Sequence, residues 1–484
     1  MFKIENITSL DSNLDLENYI KENIQYIFDY FNQNYTENKN DIQIFKSFIN
    51  SKFDLIKSIN YSANQNIAFI SLLSEYCERY KLSNEFIKLY ELLKEKHVQV
   101  YQRQDASYSF LKINKVSDYL VKLSEIFTKI EFSFKKEDDN EKSALLTFAN
   151  FISTVSENTT KKQLDKLNNL IQNIKVLKQD VKYNFLNFDF VENLLNINFI
   201  ENQSANEKIQ NLIDTLLGKV VKFEEKIGHY IIEDKTEYSK LLLNCPNTFY
   251  SIQQICKNQY VNIKDDNIFK SLQRGVGILS NYEQLFAYFY SYSDMHQAKL
   301  LKAFDSLKQT DFYIKDIEIF DWACGQGLAS MVYLDYTKSK KHTKITLIEP
   351  SEIALKRGSL HVKKINPNVL TTTINKDIDN VQQSDLITSN DTPKLHLFSN
   401  IIDVDLFSLS KLLDLLQTSF KGENYFVCVS PYITDLKTAR IDSFVSCLKK
   451  HPTFCLFDSV NLKAGDWVPG KNWSIVMRVF KVVL

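Results

Sequence analysis

Nine residues, Ile319-Phe320-Asp321-Trp322-Ala323-Cys324-Gly325-Gln326-Gly327, combine the features that hold a small molecule on bare main chain. An apolar run ends in an acid and enters a glycine-containing turn, and a helix pattern follows from Leu328 to Tyr336. Glycine lets a ligand approach the backbone, and the first N–H groups of a helix have no partner of their own. Two more acids follow apolar runs, Glu349 in Thr346-Leu347-Ile348-Glu349-Pro350 and Asp377 in Asn375-Lys376-Asp377-Ile378-Asp379. A carboxylate at the end of a second strand can accept both hydroxyls of a ribose. The chemistry implied is that of a nucleotide-like cofactor, and hence of an enzyme.

The elements that must position these residues read clearly from about residue 311. Strand patterns fall at 316–321, 344–349, 369–375, 394–399 and 424–430, with helix patterns at 326–338, 351–365, 405–420 and 435–450. Two last strands, 453–460 and 473–484, follow with no helix between them. Alternation of this kind predicts an α/β domain, a mostly parallel sheet with helices on both faces, ending in an antiparallel hairpin. Ser399 and Asn400 end the fourth strand, Asp403 lies just beyond, and Ser430-Pro431-Tyr432 follows the fifth. Strand ends at this edge face a ligand. The segment Gly465–Trp473 reads equally as a lid or a surface loop.

The first half differs in texture. All seven prolines lie at Pro246 or later, and the first glycine is Gly218. A stretch lacking both permits continuous helix. Apolar residues recur at helical spacing in Leu164, Leu167, Ile171, Ile174, Leu177 and Val181, and again in Ile209, Leu212, Leu216, Val220, Phe223, Ile227 and Tyr230. Ser204-Ala205-Asn206-Glu207 has the form of a capping box before the second stripe. Residues 1–240 are therefore expected to be an all-α domain of eight to ten helices for substrate or partner recognition. The run Lys135–Lys142 reads as a mixed-charge hinge or exposed loop. A helical connector, 241–310, then packs on the domain at 311–484. It carries the aromatic stretch Tyr282–Tyr292, followed by His296.

The segment from Asp321 onward resembles the class I S-adenosylmethionine-dependent methyltransferases, a seven-stranded Rossmann-like fold. Asp321 to Gly327 matches their first motif, with Ala323 where the family often has glycine. The resemblance covers roughly 311–484, and it implies S-adenosylmethionine as cofactor and in-line methyl transfer as the reaction. Ala323, Cys324, Gly325, Gln326 and Gly327 would then form the cofactor turn. Asp321 would shape it and help hold the amino group, and Glu349, followed by Pro350, would hold the ribose. Asp377 would take the adenine amino group, with Asp379 competing, and Ile378 would pack on the ring. Ser399 and Asn400 would lie at the methionine end. Tyr288 and Tyr292 belong to the helix that often closes over the cofactor in this family. Asp403, His296 and Tyr432 are candidate bases. The rival within the fold is NAD, since Gly325-x-Gly327-x-x-Ser330 half-matches a dinucleotide fingerprint. That reading leaves Asp321 unexplained, and the terminal strand pair favours the methyltransferase. A second function class is a non-catalytic helical scaffold on a methyltransferase-like fold.

Composition removes other classes. Lys plus Arg and Asp plus Glu both number 59 among 484 residues, so bulk charge gives no nucleic-acid signal. Seven cysteines without a CxxC fit neither a disulfide framework nor a zinc site, so no metal is expected and a cytoplasmic setting is. No signal-peptide core is visible, and no apolar run approaches the ~18 residues of a membrane span. The acceptor, whether protein, RNA or small molecule, stays open, as does a protein partner for the helical region.

Overall fold

The computed structural model describes all residues except 1–3, 34–38, 180–181, 200–201, 219–229, 309, 311, 313–315, 339–341 and 466. The chain forms two compact units, one of residues 1–221 with Ile433–Ala439, the other of 222–432 with Arg440–Leu484.

The described residues of the first unit are helical and contain no strand. Among its longer helices are Asn13–Gln33, Asn64–Arg79, Val116–Lys136 and Glu141–Glu157. Each buries a stripe; Tyr119, Leu123, Ile126, Phe127 and Ile130 of Val116–Lys136 lie in one core with Phe148, Phe151 and Phe185. The stripe at 164–177 forms helix Leu164–Gln179, while Val181, Val220, Phe223 and Ile227 lie outside the described residues. Two expectations need correction. Ser204–Glu207 is no cap, because helix Asn202–Leu217 has already begun. The charged run is not an exposed loop either. Glu137, Asp138 and Asp139 are buried, Asp138 Oδ1 accepts from Arg103 Nε at 3.0 Å, and Glu137 Oε2 accepts from the Gln102 N–H at 2.7 Å. Only tertiary partners make such burial tolerable.

The second unit holds a seven-stranded sheet: β1 Ile317–Trp322, β2 His342–Ile348, β3 Leu370–Ile374, β4 Lys394–Ser399, β5 Glu423–Ser430, β6 Cys455–Leu462 and β7 Ile475–Val483. Their order is β3-β2-β1-β4-β5-β7-β6. The first five are parallel, and β7 is antiparallel to both β5 and β6. The expected terminal hairpin is present, with β7 inserted between β5 and β6.

Strand alternation assigns the two faces. Ile319, Leu347, Leu397 and Val427 join a core shared with Leu300, Ala303 and Phe304 of helix Tyr282–Leu307. On the other face Phe320, His396, Phe426 and Phe480 stand in register across β1, β4, β5 and β7, each ring stacked on the next. His396 is thus a core ring. It accepts from Trp322 Nε1 at 3.3 Å, its Nε2 faces Asn424 Oδ1 at 3.0 Å, and burial pushes it down to about 3. The helix expected from 405 starts at Leu409, where Ser408 caps it.

Candidate functional site

Every predicted site residue from a strand end lies at the carboxyl edge of the parallel strands. β2 pairs on one side of β1 and β4 on the other, so the chain reverses direction across the sheet between β1 and β4. Ligands of open α/β sheets bind at such a switch point.

The turn after β1 is held from several sides. Ala323, Gly325 and Gly327 all have positive φ, at 50°, 53° and 72°. For alanine that region is unfavourable, so surrounding contacts fix the turn. The Cys324 N–H donates to the Ile348 carbonyl at 2.9 Å. Gln326 is turned inward, its Nε2 on the Leu285 carbonyl at 2.9 Å and its own carbonyl meeting His361 Nδ1 at 3.0 Å. The two turn glycines serve different ends. A Cβ on Gly325 would meet nothing within 4 Å, whereas one on Gly327 would stand 3.2 Å from the Cα and O of Gly358. Gly325 therefore leaves open space for a ligand. Gly327 is needed for the close approach of helix Glu352–Ile365.

Two enclosed carboxylates flank this open backbone. Asp321 Oδ2 accepts from the N–H and hydroxyl of Ser330 at 3.0 and 2.7 Å, while its buried Oδ1 has no hydrogen-bond partner among the described residues. Ser330, where a dinucleotide fingerprint has glycine, is thus the anchor for this acid. Glu349 Oε2 accepts from the Gly325 N–H at 2.9 Å and Oε1 from the Ser351 N–H at 2.9 Å. Burial pushes both acids up to about 7, and the hydrogen bonds oppose it in part. Asn375 Nδ2 ties the carbonyls of Glu349 and Pro350 together, at 2.9 Å each.

The acids after β3 are engaged locally. Asp377 caps its own turn through Asn380, with its two oxygens at 3.0 and 2.7 Å from Asn380 N and Nδ2, and Ile378 beside it is buried. Asp379 Oδ1 accepts from the Ser408 N–H at 2.8 Å. Cys324 is a buried thiol pushed well up by burial, suited to packing.

Helix Tyr282–Leu307 supplies the other wall. Tyr288, Tyr292 and His296 form a ring cluster, with Tyr288 5.2 Å from Tyr292 and 5.9 Å from His296. Tyr288 lies in the field of Glu349 and Asp321, and burial and these charges raise its pKa. Gly275, at φ 93°, brings its loop against both tyrosines. Asn400, in the left-handed region at φ 58°, faces His296 Nε2 with its Nδ2 at 3.0 Å and Ser399 Oγ at 3.2 Å. Its Oδ1 accepts from Lys299 Nζ at 3.3 Å. Lys299 is fully buried, and burial pushes it down to about 7 against the opposing pull of Asp403. Asp403 Oδ1 accepts from the Ser430 hydroxyl at 2.6 Å. Of the candidate bases, His296 and Asp403 thus meet around Lys299. Tyr432 instead has its N–H on Ser474 Oγ at 3.0 Å and its ring under Lys463. In the segment between β6 and β7, Trp467 Nε1 donates to the Trp473 carbonyl at 2.6 Å.

Lys299 and Gly358 were not singled out from sequence. A lysine on an amphipathic helix has the look of a solvated residue, and a lone mid-helix glycine is easily tolerated. Among the described residues there is no cluster fit for a metal ion, and no helix is long and apolar enough to cross a membrane.

No protein-family model and no curated protein matches the chain. Solved structures do show likeness. A SAM-dependent methyltransferase from Aquifex aeolicus is 12% identical, with 39% of this chain and 93% of that one covered at a TM-score of 0.28. The plantazolicin methyltransferase BpumL, solved with a monoazolic desmethylPZN analog and SAH, is 15% identical over 47% and 98% of the two chains, at 0.28. A SAM-dependent methyltransferase from Leishmania major is 9% identical over 54% and 100%, at 0.27. At these TM-scores the likeness carries no argument; the strand order and the site residues of this chain do.

Proposed function

We propose that the second unit is an S-adenosylmethionine-dependent methyltransferase. The observation that carries this is the open backbone at Gly325, set between Asp321 with an unpartnered buried oxygen and Glu349 at the end of the neighbouring strand. The donor set fits the cofactor. Asp321 Oδ1 is an enclosed acceptor suited to an ammonium, and each Glu349 oxygen, with one N–H bound, keeps a lone pair for a ribose hydroxyl. Asp377, Ile378, Ser399 and Asn400 stand at the next two strand ends. NAD accounts less well for the site, because Ser330 ties Asp321 and fills the place of the third glycine. The helical unit would recognise the substrate or a partner.

Bound there, S-adenosylmethionine supplies a sulfonium methyl already activated for displacement. The chain's own part is then alignment and exclusion of water. Tyr288, Tyr292 and His296 wall the site from one side, and Ser399 and Asn400 close it from the sheet edge. Calorimetry on the full chain should show binding of S-adenosylmethionine and none of NAD. Gly325→Trp and Glu349→Ala should each lose that binding, with melting curves confirming a folded protein. Normal affinity in both variants would remove this site from consideration.

A further inference from the structure

Lys299 holds its ammonium beside the end of β4, enclosed and donating to Asn400 Oδ1. A lysine ammonium has donors and no acceptor, so it decides which end of the Asn400 amide carries the oxygen. The amide nitrogen is thereby turned to His296 Nε2 and Ser399 Oγ. An amide nitrogen only donates, so Nε2 must hold the lone pair and the ring proton must sit on Nδ1. Burial first, and then the charge of Lys299, push His296 down to about 3, which also keeps the ring neutral. Nδ1 has no hydrogen-bond partner among the described residues, yet it is not a sealed polar atom, and His296 keeps 6% exposure. The ring stacks on Tyr292 and lies edge-on to Tyr288, at the end of the site that Asp321 and Glu349 define.

We infer that Lys299 and Asn400 lock His296 as a neutral Nδ1–H donor that positions the methyl acceptor through a carbonyl or carboxylate oxygen, and not as a base that deprotonates it. His296 is then a specificity-determining contact, and Lys299 and Asn400 are positioning residues acting through it. The role in methyl transfer rests on the proposed methyltransferase reading; the locked tautomer does not. An acceptor offering only donor groups at this point would leave the Nδ1–H unpaired and be rejected, because a site built to hydrogen-bond discriminates strongly against a partner that cannot.

The test uses the full chain labelled with ¹⁵N-histidine, at about pH 6, where Lys299 is charged. The His296 signals are identified by their loss in His296→Gln. Nδ1 should give the protonated type of resonance and Nε2 the lone-pair type. In Asn400→Asp the carboxylate only accepts, so Nε2 should gain a proton. In Lys299→Met, a second variant in case the first folds poorly, the single tautomer should give way to a mixture. Formate, the smallest carboxylate probe, should shift the Nδ1 signal of the wild type. An Nε2–H tautomer in the wild type, a tautomer unmoved in both variants, or an Nδ1 signal indifferent to formate would each overturn the inference. Calorimetry with S-adenosylmethionine separates the two layers. No cofactor binding alongside the expected tautomer defeats the methyltransferase reading alone, and normal binding with the wrong tautomer defeats this inference alone.

Discussion

Two groups of buried carboxylates, the acids around Arg103 in the helical unit and the pair beside Gly325 in the α/β unit, are treated in opposite ways. In the helical unit Arg103 gathers three acids, Glu78 at 2.5 Å, Asp138 at 3.0 Å and Glu75 at 3.3 Å. Ser107 and Thr147 hydroxyls each add a bond of 2.7 Å to Glu78. In the α/β unit the partners of Asp321 and Glu349 are N–H and O–H groups of the chain, with no lysine, arginine or histidine among the described residues bonding to them. This is not a habit of the α/β unit as a whole, which pairs buried Arg357 with Glu233. A buried acid is costly without a cation, so a fold that supplies cations elsewhere and withholds them here leaves the charge for something else to neutralise. Arg103 and its acids fit an architectural role, and Asp321 and Glu349 fit the proposed site.

The contrast is most exposed at Arg103. Arg103→Met strands three buried acids and should cost roughly 3–5 kcal/mol at neutral pH, read by urea unfolding of the full chain. The loss should shrink in acid, where protonated acids need no partner. A cost below about 1 kcal/mol would mean the acids are already neutral and the two regions are alike. Asp321→Asn should act in the opposite direction. With its folded pKa raised to about 7, wild-type Asp321 favours the protonated form, so its burial costs nothing in acid. The penalty grows from the unfolded pKa of ~4 up to the folded value and is constant above it. The asparagine variant should therefore be more stable than wild type at pH 8 by on the order of 2 kcal/mol, the gain fading as pH falls through 7. It should also lose S-adenosylmethionine affinity by tenfold or more. Stability gained together with binding lost would mark Asp321 as a group kept for a ligand; a variant less stable at both pH values would make it structural.

Much of this was legible in the sequence, for a physical reason. Each strand of the second unit falls within three residues of its expected ends because alternating apolar runs, glycine turns and helix stripes all agree there. The acids at 321 and 349 stood out because each ends an apolar strand. What could not be read was the burial of charge. Lys299, Glu137 and Asp138 look solvated until the fold brings Asn400, the Gln102 N–H and Arg103 to them. The division of labour between Gly325 and Gly327 was hidden likewise, since it depends on which helix crosses the turn.

That crossing gives the smallest of these effects and the sharpest local test. Gly358 sits inside helix Glu352–Ile365, where alanine would ordinarily add up to ~1 kcal/mol of stability. Its Cβ, however, would stand 3.0 Å from the carbonyl carbon of Gln326 and from the nitrogen of Gly327, both main-chain atoms of the turn after β1. Side chains can rotate away from a crowded contact, but main chain must move as a unit, and here it would carry Gly325 with it. Gly358→Ala should therefore reverse the usual sign, with a net loss of about 1 kcal/mol in thermal or urea unfolding. Cofactor affinity should fall in parallel, although no cofactor atom need touch residue 358. If the variant is instead stabilised and binds normally, the turn has slack, and the open space at Gly325 is not held in place by the helix behind it.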